Sequence, residues 1–267
     1  MLDGTSSLPA ITAALEENML AKFSYIPSRV AGMKVLCDDS CTLVDSGTSS
    51  DMFNVLCGWK VCDPAVIQEK EAVFGTDRGF AHWIGFMGEP SELRDNIGNN
   101  MDEMESELAM YCELRELPGI TQHSNFEIMK VSQETELQDF ISILVSLLPH
   151  ESSDISSYFL AAKDILLTET CPWSIWVGYL DGAPVSCCSG FAAGGVYGLW
   201  DIITLPDARR KGLGSSMTLT ALQYASNKLG YKLAVLTATD SGVPLYKALH
   251  FATVKAFWVY NKGKAET

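Results

Sequence analysis

The run Arg209-Arg210-Lys211-Gly212-Leu213-Gly214 stands where a buried strand hands over to a helix. Upstream, Val196 to Thr204 reads as a strand stopped by Pro206; downstream, Leu213, Met217, Ala221, Tyr224, Ala225, Lys228 and Leu229 recur at helical spacing. The glycines therefore open a helix. A helix start presents backbone N–H groups without intrahelical partners and the positive end of a dipole, and glycine lets a ligand approach that backbone without meeting a Cβ. Such a site suits a phosphate, with Arg209, Arg210 and Lys211 adding positive charge beside it; a solvated basic loop is the plainer alternative. A nucleotide triphosphatase loop needs Gly-Lys-Ser/Thr, which does not follow, and a dinucleotide fingerprint needs a third glycine where Met217 stands.

What remains is Arg-x-x-Gly-x-Gly inside a longer series. From Trp173 to Tyr260 the residues predict a hairpin (Ser174 to Leu180, turn Asp181-Gly182, Ala183 to Ala192), then the strand, the glycine loop and its helix. A strand over Lys232 to Ala238, a helix over Val243 to Leu249 and a last strand over Thr253 to Tyr260 complete it. Leu205-Pro206-Asp207-Ala208-Arg209 leads into the loop, and Pro244-Leu245-Tyr246-Lys247-Ala248-Leu249-His250-Phe251 follows at a distance. Together these resemble the core of the GCN5-related N-acetyltransferase (GNAT) superfamily. His250 departs from the family pattern, which places glycine just past that helix end; histidine tolerates a left-handed backbone better than most side chains.

The resemblance implies an α/β (α+β) fold with a central mixed, mostly antiparallel sheet flanked by helices. It also implies an acetyl-CoA-dependent N-acetyltransferase acting on an amine of a small molecule or peptide. Pantetheine would pair with Ile202, Ile203 and Thr204, and the loop Arg209, Arg210, Lys211, Gly212, Leu213, Gly214 and Ser215 would hold the pyrophosphate. Tyr246 matches the tyrosine that protonates the departing thiolate, with a plain core tyrosine between Leu245 and Leu249 as the alternative. Asp201, on the strand before the loop, is a candidate general base, because a carboxylate near an apolar wall can accept a proton directly or through water; a water chain without a side-chain base also fits. Asp240 with Ser241 reads as the N-cap of the helix carrying Tyr246. A noncatalytic acyl-CoA sensor of the same fold is the competing reading, and Tyr246 weighs against it.

Composition agrees with a soluble intracellular enzyme. The chain has 267 residues, 47% of them hydrophobic, enough for one large core or two modest ones. The longest apolar stretch, Phe140 to Leu148, is too short for a bilayer and is broken by Ser142 and Ser146. Met1-Leu2-Asp3-Gly4 lacks the basic and apolar blocks of a secretory signal, so a reducing cytoplasmic compartment and free thiols are expected. Cys37-x3-Cys41 and Cys57-x4-Cys62 are not Cys-x-x-Cys knuckles and lie among apolar neighbours, and Cys187-Cys188 point to opposite faces of a strand; no metal site is expected. Residues 1–122 carry 20 acidic against 8 basic side chains, and residues 123–267 carry 13 against 11. That acidity argues against nucleic acid and would tolerate a cationic amine, although charge kept for solubility is the plainer reading.

A break at Leu117-Pro118-Gly119 divides the chain into an acidic domain over 1–122 and a catalytic domain over 123–267. The second domain begins with a strand over Phe126 to Val131, a helix over Glu134 to Leu148 and a helix over Ile155 to Leu167. In the first, a hairpin (Met33 to Leu36, Cys41 to Val44) precedes a strand (Met52 to Cys57), a helix (Pro64 to Phe74), a strand (Phe80 to Met87), a helix (Pro90 to Ile97) and a strand (Glu107 to Leu114). The order repeats that of the second half. The junction Gly58-Trp59-Lys60-Val61-Cys62-Asp63-Pro64 has no glycine pair, so this half reads as a smaller, degenerate GNAT-like domain without a phosphate cradle; an unrelated α/β lobe would show a similar order.

Overall fold

The computed structural model describes residues 1–98, 101–121 and 123–263. In chain order these form α1 (Leu8–Tyr25), β1 (Lys34–Cys37), β2 (Thr42–Asp45), β3 (Val55–Cys57), α2 (Pro64–Glu71), β4 (Phe80–Ile84), α3 (Leu93–Gly98) and β5 (Glu103–Glu113). There follow β6 (Phe126–Lys130), α4 (Glu134–Leu147), α5 (Ser152–Ala161), α6 (Lys163–Leu166), β7 (Trp173–Leu180), β8 (Ala183–Ala193), β9 (Val196–Thr204), α7 (Leu213–Asn227), β10 (Leu233–Ala238), α8 (Val243–Ala248) and β11 (Ala252–Lys262). The one long helix expected over Ile155 to Leu167 is two, α5 and α6, broken at Ala162 where φ −98° and ψ 4° leave the helical region.

Two compact units result, and they cut across a division at residue 122. Unit one comprises Met1–Met19 and Ala109–Val254; unit two comprises Leu20–Leu108 and Lys255–Thr267. Within unit one, β6–β7, β7–β8 and β8–β9 are antiparallel, β9–β10 is parallel, and β5, which enters this unit at Ala109, lies on the far side of β10. Within unit two, β1–β2 and β2–β3 are antiparallel, β3–β4 is parallel, and β11 lies antiparallel on the far side of β4. The pairing within each unit is mixed and mostly antiparallel, and two antiparallel pairs followed by a parallel one occur in both. The closing strands are exchanged relative to sequence order, however: β5, which follows α3, borders β10, and β11, which follows α8, borders β4.

In unit one, α4 is apolar along Leu137, Phe140, Ile141 and Leu144 and starts with a capping box between Gln133 and Glu136, whose Oε2 accepts the Gln133 N–H at 3.1 Å. The Asp181-Gly182 turn joins β7 to β8 with both residues at positive φ (52° and 81°), the pairing a two-residue hairpin favours. The core of unit two gathers Leu43, Leu56, Trp59, Ile67, Phe74, Phe80, Leu93 and Ile97 between sheet and helices.

Helix α1 is the element that sequence periodicity misses. Up to Met19 it belongs to unit one, burying Ile11, Leu15 and Met19 together with the polar Asn18. Asn18 is fully buried, and its Nδ2 donates to the carbonyls of Phe191 (2.9 Å) and Ala193 (3.2 Å) at the β8 end of the hairpin leading to β9. A Cβ at Gly198 would stand 2.0 Å from Asn18 Oδ1, so only glycine lets β9 pass beneath it. Replacing Asn18 by alanine strands buried carbonyls and is expected to lower stability by about 1–3 kcal/mol in urea unfolding. Leu8→Ala, at the exposed start of α1, should stay within about 0.5 kcal/mol; equal losses would mean that the Asn18 contacts contribute nothing specific.

Candidate functional site

The C-terminal half of β9 differs from a regular strand on both of its edges. On the β8 side, Ser189 stands opposite Trp200 and Cys187 opposite Ile203, so Asp201 and Ile202 together oppose Cys188 alone. This is a bulge, and Asp201 adopts the left-handed φ of 51° that it requires. Aspartate is among the few non-glycine residues that accept such a backbone. On the other side, β9 pairs with β10 only through Tyr197, Gly198 and Leu199. Among the described residues that register goes no further, while Ile203 and Thr204 remain held by β8. The edge of β9 from Trp200 to Thr204 therefore turns its backbone away from β10.

Asp201 is half-buried. The Ser189 hydroxyl donates to its Oδ2 at 2.6 Å, and the Cys187 thiol donates to its carbonyl at 3.3 Å. Cys187, Ser189 and Phe191 alternate onto one face of β8; Phe191 meets Trp173 at 5.8 Å between ring centroids, and Trp173 meets Phe159 of α5 at 6.2 Å. The neighbouring Tyr158 is buried on α5, and burial, aided by the Asp201 charge, raises its phenol above the ordinary range. The same causes raise the Cys187 thiol, so the carboxylate lies among neutral donors. Tyr158 and Ser189 escape sequence reading, because only the hairpin register and the fold of α5 bring them to Asp201.

Pantetheine-assigned Ile202, Ile203 and Thr204 are all half-buried on this edge. Ser186 Oγ donates to the Ile203 carbonyl at 2.6 Å and meets Thr204 Oγ1 at 2.9 Å, which fixes the strand end. Beyond it, Pro206–Ala208 form a single 3-10 turn, Arg210 and Gly212 take φ of 62° and 76°, and α7 starts at the buried Leu213 with Gly212 as N-cap. The first intrahelical bond runs from Ser216 N to Gly212 O at 3.1 Å, so the amides of Leu213, Gly214 and Ser215 have no acceptor inside the helix. Arg209, Arg210 and Lys211 are exposed. Arg209 Nε donates to Thr204 O at 2.9 Å and Lys211 Nζ to Asp207 O at 3.2 Å, so two of the three cations brace the loop from within.

A Cβ built on Gly214 would lie 3.5 Å from Thr204 Oγ1 and 3.7 Å from Leu245 Cδ2, which brings the end of β9, the start of α7 and α8 to one place. Tyr246 follows Leu245 on α8, 7% exposed, with its ring edge-on to Phe251 at 5.8 Å. Asp240 does not cap α8. Gly242 is the N-cap and has no side chain to cap with; Thr239 O instead accepts the N–H groups of Gly242 at 2.9 Å and Val243 at 3.2 Å, so the turn closes on backbone. His250 ends that helix at φ 67°, in the left-handed position the family gives to glycine. His123, for which the sequence offers no partner, stands beside the loop: its Nε2 is buried without a hydrogen-bond partner among the described residues, 3.5 Å from where a Gly212 Cβ would be.

Among the described residues, no group of three or more His, Cys, Asp or Glu side chains could hold a metal ion, and no helix is long and apolar enough to cross a membrane. All eight cysteines are free. The two loop glycines should respond differently to alanine. Gly214→Ala gains a helix former in ordinary contact distance and should be neutral or up to about 1 kcal/mol stabilising, whereas Gly212→Ala forces a left-handed alanine and should cost about 1 kcal/mol. Thermal melts of both variants separate these; equal shifts would place the helix start elsewhere.

Residues 139–251 match the model of the Acetyltransferase (GNAT) family. No curated protein matches the sequence. Among solved structures, the chain is similar to a GCN5-related N-acetyltransferase from Kribbella flavida, at 19% identity and a TM-score of 0.66 over 95% of this chain and 96% of that one. It is also similar to a GCN5-related N-acetyltransferase from Sphaerobacter thermophilus, at 12% identity and a TM-score of 0.61 over 97% and 93%. A tandem GNAT protein from the clavulanic acid biosynthesis pathway matches at 11% identity and a TM-score of 0.61 over 97% and 94%. At these identities the likeness is one of fold, and it covers residues of both units. The segment 139–251, which holds the bulged β9, the glycine-opened α7 and Tyr246, belongs to the GNAT family.

Proposed function

We propose that unit one is an N-acetyltransferase that takes acetyl-CoA as donor and an amine of a small molecule or peptide as acceptor. The observation that carries this reading is the parting of β9 from β10 after Leu199, immediately before a helix whose start is opened by Gly212 and Gly214. A strand edge outside its ladder suits the amides of pantetheine, and a helix start bare of side chains suits a pyrophosphate. The residues fit that donor: at Gly212 and Gly214 a side chain would fill the cradle, and His123 Nε2 offers a polar atom beside it.

In this scheme the acceptor nitrogen attacks the thioester carbonyl, the C–N bond forms, the C–S bond breaks and the sulfur leaves as thiolate. Backbone N–H groups of the β9 bulge supply donors to the oxyanion, whose stabilisation is the largest electrostatic demand of the step. Asp201, lodged beside Ser189 and Tyr158, receives the proton lost by the amine, directly or through water. Tyr246 returns a proton to the thiolate. The half-buried Asp201 also supplies a negative charge that orients the acceptor; a cationic amine gives its extra proton to bulk water before attack, and the proton that Asp201 takes is the one released as the C–N bond forms. Eight free thiols suit work in a reducing cytoplasm.

Thiol release from acetyl-CoA, followed across an amine panel beside direct CoA binding, tests the reading. Acceptor-dependent release supports it; tight CoA binding without turnover on any amine favours the acyl-CoA sensor. Gly214→Asp should stay folded, since a Cβ has room there, yet lose CoA affinity in calorimetry through steric block and charge repulsion. Retained affinity would remove the loop as the phosphate site. Tyr246→Phe deletes only a hydroxyl, so CoA binding should persist while kcat falls by about 10²–10⁴. A rate within about twofold of wild type, with chemistry limiting, would return Tyr246 to the core.

A further inference from the structure

Unit two carries, in β3, α2 and β4, the same strand–helix–strand series that β9, α7 and β10 form in unit one. Its two anion-seeking positions are both filled by the chain itself. At the start of α2, Asp63 is the N-cap and its Oδ1 accepts the Ala65 N–H at 2.9 Å, while Pro64 removes a further donor. At the strand ends, Gly58 (φ 62°) turns the chain out of β3, and Gly85 (φ 127°) turns it out of β4. Glu89 lies across both ends: its Oε1 accepts the Trp59 N–H at 3.2 Å, and its Oε2 accepts the N–H groups of Gly85 at 2.6 Å and Phe86 at 3.1 Å. A Cβ at Gly85 would sit 3.0 Å from Ala256 O and 3.2 Å from the Phe257 ring, so close packing on β11 holds that amide in place.

We propose that the amides of Trp59, Gly85 and Phe86 form a carboxylate-binding nest at the strand ends of unit two, and that Glu89 is its built-in occupant. With Asp63 at the helix start, Glu89 closes to acyl-CoA the slot that corresponds to the parted β9 and β10. Acetyl transfer by unit one bears only on that correspondence; the nest stands on the three hydrogen bonds. Three convergent N–H donors at two strand ends are a fixed positive field, which selects a carboxylate by charge and by its two acceptor oxygens. Glu89 is partly exposed, so a small carboxylate can reach the nest once the side chain is gone. Burial pushes the Glu89 carboxyl up to about 7 against those bonds, which favour its charged form; Lys255 and Cys57 are the other titratable groups beside it.

The test is rescue of the full-length Glu89→Ala variant by sodium acetate, with sodium chloride at equal ionic strength as control. With the acetate ionised, the variant should unfold at lower urea than wild type, and acetate should recover most of that loss with saturation, leaving wild type unmoved. If the variant does not fold in chloride, folding in acetate is the same result. Acetate and chloride acting alike, or acetate acting equally on wild type, would overturn the nest. A second readout needs no destabilised protein: in wild type the amide protons of Trp59, Gly85 and Phe86 should shift together through one titration, and hold still in Glu89→Gln. Separate midpoints or no movement at all would overturn the assignment of Glu89 as occupant.

Discussion

A parallel ladder that stops early is the constraint on which unit one depends. After Leu199, β9 loses β10 and keeps β8, and the bulge at Asp201 is what allows it to turn. In a complete sheet the backbone groups of Trp200 to Thr204 would be spent on a neighbour, and nothing could bind along that edge. The bulge also aims Asp201 onto the face where Ser189 and Tyr158 lie, so one backbone irregularity sets both the freed edge of β9 and the position of a carboxylate.

Unit two begins from the same plan and ends differently. Its parallel pair, β3 and β4, also runs out between a strand and a helix start, yet Glu89 bridges the strand ends and Asp63 caps the helix. Orphan amides at such ends must find acceptors. In one unit a glycine-opened start leaves the first amides of α7 without an acceptor inside the helix; in the other, two side chains of the chain accept such N–H groups. Exchange of β5 and β11 also means that neither unit is a continuous stretch of sequence.

Much of this is legible in the residues because it rests on local periodicity. The hairpin β7–β8, strand β9, helix α7 and helix α8 follow from apolar spacing and turn residues, and the left-handed His250 follows from its place after α8. What is not legible is set by contacts between distant residues. Helix α1 buries Asn18, Thr12 and Glu16 along with its apolar residues, which blurs the stripe that marks an amphipathic helix. The exchange of β5 and β11 leaves no mark, since each strand keeps its pattern whichever neighbour it meets. Asp240 looks like a cap until Thr239 is seen to take the amide of Gly242, and Glu89 looks like a surface acid until three amides are seen to close on it.

The central claim is that one unit presents an acyl-CoA slot and the other has sealed its own. Calorimetric titration of the full chain with CoA measures this directly through stoichiometry. One CoA per chain is the predicted result; two per chain would show unit two to be open, and none would show that the parted strands of unit one do not form the slot.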